Sequence, residues 1–180
     1  MKQNINLGDS KKFVGYKTNG ETNCLNLCKK ILANYGLTEY GSPLNVFQLM
    51  HEKNGKLEYY NKTPQEQYKK AIEIIDKHLE KQRPIIVGVN HTLNRGINEG
   101  ATDHFVVIYG RGYDENSKNY YYTYYEVGKG NVINGYNDKT NRFYYIDTEK
   151  PLFFDQSSER GDKARFDVTQ VRPNDGTNVR

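Results

Sequence analysis

The amino-acid sequence predicts an α+β domain in which helices come first and an antiparallel sheet follows. Two observations carry this expectation. Apolar residues recur at helical spacing between Leu25 and Leu79, and after Pro84 the pattern changes to β-branched and tyrosine-rich runs. Helices and strands segregated along the chain fit an α+β architecture, not a doubly wound one with alternating units. The length of 180 residues fits a single domain with its own core. That core is expected over residues 15–150, with a loose charged tail over 155–180.

Residues 1–21 are polar and carry Gly8, Gly15 and Gly20, so they read as an extended lead-in packing across the domain. A first helix follows, capped by Thr22 or Asn23, with Leu25, Cys28, Ile31 or Leu32, and Tyr35 on its inner stripe and Gly36 as its C-terminal stop. A second helix is expected from Ser42-Pro43, with Leu44, Phe47 and Met50 as its apolar face and Asn54-Gly55 as its end. The third has the clearest start, Thr63-Pro64-Gln65-Glu66, which combines a cap, a first-turn proline and a capping-box glutamate. Tyr68, Ile72, Ile75 and Leu79 repeat at helical spacing before Arg83-Pro84 ends it.

Four strands are then expected: Pro84–Val89, His104–Tyr109, Tyr120–Val127 and Arg142–Asp147. Residues 90–103 form a glycine- and asparagine-rich loop, long for a strand connection and suited to gating a cleft. Asp114-Glu115-Asn116-Ser117 reads as a hairpin turn.

Mean hydropathy is −0.91 and 36% of residues are hydrophobic, so the predicted core is modest. Sixteen tyrosines compensate in part, each burying a ring while keeping a hydroxyl for a partner. The net charge of +4 is spread along the chain, not gathered into the basic stripe of a nucleic-acid reader. It suits mild attraction to an anionic polymer such as a cell wall. No stretch approaches the roughly 20 apolar residues of a membrane span. Met1-Lys2-Gln3-Asn4-Ile5-Asn6 lacks the apolar region of a signal peptide. The expectation is a chain made in the cytoplasm, any export using a specialised secretion system.

Cys24 falls in the first turn of the first helix, where unpaired N–H groups and the helix dipole favour a thiolate. Cys28 lies one turn deeper among apolar neighbours and reads as a buried core thiol. A disulfide four residues apart would close almost no loop. A zinc site from this pair and a histidine lacks a second ligand pair at short spacing, so no metal is expected. Of four histidines, His51 and His78 read as solvated helix residues, and His91 borders the loop. His104 opens an apolar strand beside that loop, a rigid and accessible place for a general base. If His104 faces the cleft, Val106 and Ile108 share its side of the sheet.

Pairing around the 114–117 turn sets His104 opposite residue 126 or 127. Glu126 is the carboxylate there, placed to accept the Nδ1–H of His104 and fix its tautomer. The Cys24 N–H is the natural backbone donor for an oxyanion, with Asn19 and Asn23 as side-chain candidates and Thr18 behind them.

With Cys24 at a helix start, His104 in Ala101-Thr102-Asp103-His104-Phe105-Val106-Val107-Ile108-Tyr109-Gly110 and Glu126 on the next strand, the chain resembles the papain-like cysteine peptidase clan. Within that clan it looks most like the compact bacterial branch of bacteriocin-processing-type peptidases and type VI secretion amidase effectors. Asn23-Cys24-Leu25-Asn26 stands where relatives carry Asp-Cys-Gly-Pro or Asp-Cys-Ser-Gly. Glu126 stands where they usually have Asp or Asn, and the glutamine often found before the cysteine is absent.

The resemblance implies N-terminal helices packed on an antiparallel sheet and a cofactor-free Cys24-His104-Glu126 triad that hydrolyses an amide through an acyl-thioester. The substrate it implies is a protein or a peptidoglycan stem peptide. Small size, pI near 8.8 and the absence of a signal peptide or carrier domain favour a secreted antibacterial effector, a toxin that travels with an immunity protein. Two other readings stay open: a transglutaminase-like acyl transferase using the same triad, and a non-catalytic binding module whose tyrosine-rich surface contacts glycan or protein.

Overall fold

The computed structural model describes residues 1–17, 20–42, 44–60, 64–90, 100–145, 153–155 and 166–179. The lead-in contributes β1 (Ile5–Asn6) and a short 3-10 turn (Ser10–Lys12) before α1 (Cys24–Asn34). Next come β2 (Phe47–Gln48), β3 (Met50–Lys53), β4 (Lys56–Tyr59) and α2 (Pro64–Glu80). The second half holds β5 (Ile85–Asn90), β6 (His104–Asp114), β7 (Asn119–Tyr125), the single-turn α3 (Val132–Gly135), β8 (Arg142–Tyr145), β9 (Phe153–Asp155) and β10 (Asp167–Arg172). The α+β class is as expected. None of the described helices is long and apolar enough to cross a membrane.

Among the described residues every strand pair is antiparallel. The order β6-β5-β10-β9-β8-β7 closes on itself through the β6–β7 pair, while β1 extends the far end of β6 and β2 edges β10. Closure removes the exposed edges that an open sheet would leave on these strands. Strand alternation sorts the core into two clusters. Val87, Val89, Val106, Ile108, Tyr122 and Tyr124 pack with Ala71, Ile72, Ile75 and Leu79 of α2. Ile86, Phe105, Val107, Tyr109 and Tyr125 point the other way and meet Leu27, Cys28, Ile31 and Leu32 of α1. Each fully buried aliphatic or aromatic side chain contributes about 1.5–3 kcal/mol, so the helix spacing read from the sequence is also the packing that holds α1 and α2.

The second predicted helix is not formed. Residues 47–60 instead make β2 and the β3–β4 hairpin, with Lys53 facing Lys56 across Asn54-Gly55. Both turn residues have positive φ, 53° and 76°. That is the two-residue hairpin geometry for which Asn-Gly is the strongest sequence signal. The dipeptide starts a return strand; it does not stop a helix. Pro43 of the expected cap, and Thr63 of the third helix's cap, lie outside the described residues.

The expected loose tail is also corrected. β10 lies inside the ring, paired with β5, β9 and β2, and Phe166, Val168 and Val171 are buried. Thr169, Gln170 and Arg172 are buried too, each with a partner. Thr169 Oγ1 lies 2.7 Å from Thr102 Oγ1, Gln170 Nε2 donates to Gln48 Oε1 at 2.6 Å, and Arg172 Nε donates to Glu39 Oε1 at 3.0 Å. A strand whose polar groups are satisfied internally reads as solvated in sequence and packs as core in space.

Two histidines are likewise reassigned. His51 is on β3, stacked on Tyr60 with ring centroids 4.6 Å apart. His78 is buried, not solvated: Nδ1 lies 2.8 Å from the Ile74 carbonyl, and Nε2 accepts the Asn174 N–H at 3.1 Å. It pins the end of α2 to the segment after β10.

Candidate active site

Three elements meet at one end of the ring. Asn23 caps α1, its side-chain oxygen accepting the Asn26 N–H at 3.0 Å, so Cys24 is the first helical residue, as the sequence implies. His104 is the first residue of β6. Glu126 follows the last residue of β7. The structure brings all three together.

His104 Nε2 lies 2.6 Å from Glu126 Oε1, and both side chains are largely buried, 13% and 3% exposed. The expected Nδ1 contact is therefore corrected to Nε2. The imidazole also feels the Cys24 thiol, whose interaction with it favours the protonated ring. The reason for the Nε2 contact is the register. The last β6–β7 partners on this side are Val107 and Tyr125. Continued at that register, residue 128, not 126, would lie opposite His104. The strand instead ends at Tyr125, and the chain curls so that Glu126 N–H donates to Gly135 O at 2.8 Å and Lys129 N–H to Glu126 O at 3.2 Å. The curl swings the carboxylate under the far edge of the imidazole. Gly128 N–H adds a second bond to the same Oε1 at 2.8 Å. A Cβ on Gly128 would sit 3.0 Å from that oxygen and 3.5 Å from His104 Cε1, so this position favours glycine for closeness of approach.

Val106 and Ile108 pack toward α2, on the face away from α1. His104 meets the α1 thiol only because it sits at the strand's end, where its ring also contacts Phe166 with centroids 5.5 Å apart.

The electrostatics favour an ion pair. Burial opposes ionisation of Cys24, but the hydrogen bond and charge of His104, with the Phe105 and Leu25 N–H groups on the sulfur, bring its pKa below the ordinary thiol value. Burial likewise opposes the imidazolium, yet the Glu126 carboxylate and Cys24 raise His104 to about 10. Cys28 is fully buried, and burial, together with the Cys24 and Glu126 charges, pushes its thiol well up. It is an unreactive core residue, as expected.

Asn19, Thr18 and His91 lie outside the described residues, as do residues 91–99 of the expected gating loop. Asn23 spends its side-chain oxygen on capping α1. Three contributors are not announced by the sequence: Tyr16, whose pKa is pushed up to about 12 by burial and by the nearby Cys24 and Glu126 charges; Gly128; and Phe166. The adjacent Gly15-Tyr16 pair was the available hint for the first. Phe166 had none, because it comes from the segment read as tail.

No family model, curated protein or solved structure matches this chain. The functional reading therefore rests on the geometry of its own residues.

Proposed function

We propose that this protein is a cysteine hydrolase that cleaves an amide through an acyl-thioester, with Cys24 as nucleophile, His104 as acid and base, and Glu126 as the group that orients His104. The observation that carries the proposal is the His104–Glu126 contact at 2.6 Å, supported by the interaction with His104 that brings the Cys24 thiol below its ordinary pKa. A nucleophile, a base within reach and a third group holding the base is the general arrangement for activated thiols.

In this reaction the thiolate attacks the carbonyl carbon, a C–S bond forms and the carbonyl electron pair moves to oxygen. As the tetrahedral species collapses, the C–N bond breaks and the imidazolium proton passes to the leaving nitrogen. Water then attacks the thioester with neutral His104 as base, releasing the acid and restoring the thiolate–imidazolium pair.

The substrate we propose is a peptidoglycan stem peptide, and the role an antibacterial effector. The net charge of +4 favours an anionic wall. Expression directed to the periplasm of a susceptible bacterium is expected to lyse cells and expose new peptide ends in purified wall, whereas Cys24→Ala is harmless. Intact walls, both in cells and with purified protein, would move the substrate to protein amides.

A further inference from the structure

We propose that the cavity at the far end of β6, walled by β1 and β7, binds a single neutral sugar ring, with the Tyr109 hydroxyl as its buried anchor. The inference stands apart from the hydrolase reading, since Cys24, His104 and Glu126 do not line this cavity.

The cavity holds about 240 Å³, and β6 opens it with a bulge and two glycines. Val107 and Ile108 pair with Tyr125 and Tyr124, but the next partner of β7, Thr123, faces Gly110, so Tyr109 is the extra residue of the bulge. Bulges re-aim the side chains they carry. Tyr109 packs with Tyr125 on the α1 side of the sheet. Thr123 is two residues from Tyr125, so Gly110 opposite it falls on that side too, and Gly112 follows. A Cβ on Gly110 would meet Thr123 Oγ1 at 2.5 Å, and one on Gly112 would meet the Tyr121 hydroxyl at 2.5 Å. The glycines thus let both hydroxyl-bearing side chains lie down over the strand and form the floor.

Tyr109 is 1% exposed, and its hydroxyl has no hydrogen-bond partner among the described residues. Thr123 is a polar neighbour but is not placed to bond with it. A buried hydroxyl left unpaired is costly, and folded proteins keep few of them. In the wall of a cavity, it is a donor and acceptor matched to a ligand atom. Burial pushes its pKa up, so it holds its proton at neutral pH.

The rest of the lining defines the ligand's chemistry. Asn4 and Asn6 share one face of β1, and Asn6 spends only its side-chain oxygen, on the Gly8 N–H at 2.9 Å. Amides and hydroxyls that donate and accept suit sugar hydroxyls, which do both. Asp138 at the rim adds a carboxylate that accepts from hydroxyls and repels anions. Arg111 is turned away, paired with Asp76 at 3.0 Å and Glu80 at 3.3 Å, so its charge is already spent. The volume is below the roughly 300–1,000 Å³ of drug-sized sites, which limits the ligand to one ring. The cavity lies roughly 20 Å along β6 from His104 at about 3.3 Å per residue, so its occupancy is read separately from events at the thiol.

The test titrates the ¹⁵N-labelled full chain with N-acetylglucosamine, glucose, inorganic phosphate and glutamate, following amide resonances. A sugar is expected to move the Gly110, Gly112 and Thr123 amides with Kd on the order of 1 mM, while phosphate and glutamate leave them in place. Tyr109→Phe should weaken that binding about 10-fold and leave the Tm of the sugar-free protein unchanged or higher, because the hydroxyl it removes has no partner in the empty fold. Asp138→Ala, at an exposed position, should weaken binding as well. No movement of these amides well above that concentration, shifts gathered elsewhere on the surface, or phosphate or glutamate taking the site would each overturn the proposal. Full binding by either variant would do the same. A lower Tm for sugar-free Tyr109→Phe would show that the hydroxyl is satisfied within the fold, and would remove the anchor.

Discussion

His104 stands between two groups that want different things from it. Glu126, 2.6 Å from Nε2, stabilises the imidazolium, and the Cys24 thiolate does the same, so the His104 pKa is raised to about 10. In the proposed reaction the thiol, held below its ordinary pKa, sets the acid limb of activity, and loss of the imidazolium proton sets the alkaline limb. The two limbs belong to the coupled pair, not to either residue alone. Activity is therefore expected to be flat through neutral pH and to fall on the alkaline side only near 10. Glu126→Gln keeps the shape but removes the charge. Its pH–rate profile for kcat/KM should show the alkaline limb displaced to lower pH and the maximum reduced by roughly 10²–10⁴-fold. An unmoved alkaline limb would mean that Glu126 does not govern the imidazole.

Elements differ in how openly their sequence declares them. The first residue of α1 and the spacing along α2 were legible, because caps and apolar repeats are local signals. The β3–β4 hairpin was hidden by a chance helical spacing of Leu44, Phe47 and Met50 ahead of Asn54-Gly55. The orienting contact was legible in its residues but not in its atoms, since the curl after Tyr125 depends on a bond to Gly135 that no local pattern announces. The end of α2 shows the same blindness to distant partners. Glu73, Lys77 and Glu80 flank His78 in sequence, yet the ring is buried as a neutral group between Ile74 O and Asn174 N–H. Burial holds its pKa below 6.5, although the Ile74 bond and Asp175 act against that shift. The unfolded chain therefore takes up the proton first as pH falls, so stability due to this group is complete above 6.5 and is lost as pH drops through its depressed value. Thermal unfolding of the wild type should show this loss. His78→Gln should be less stable at neutral pH by about 1–3 kcal/mol and should lack that part of the pH dependence.

At the scale of the whole molecule, the ring is closed by chain segments far apart in sequence. β10 pairs with β5 and β2, and β1 pairs with β6. Phe166, Val168 and Val171 alone bury three large side chains, about 5–9 kcal/mol at 1.5–3 each, comparable to the entire stability of a typical domain. A chain truncated before Phe166 is expected to lose cooperative unfolding and near-UV circular dichroism. Retention of a sharp transition would show that the helices and the remaining strands suffice.

The position of β10 in the ring has a consequence for when the fold is completed. Among the described strands it is the latest in the sequence, and Phe166, whose ring centroid lies 5.5 Å from that of His104, arrives with it. Until then β5 lacks one neighbour and the imidazole lacks its cover. Cys24 is translated early and the aromatic cover of His104 late, so a nascent chain carries the thiol before the setting of its proposed base is complete. Under the proposed function, synthesis itself delays the chemistry until the ring is complete.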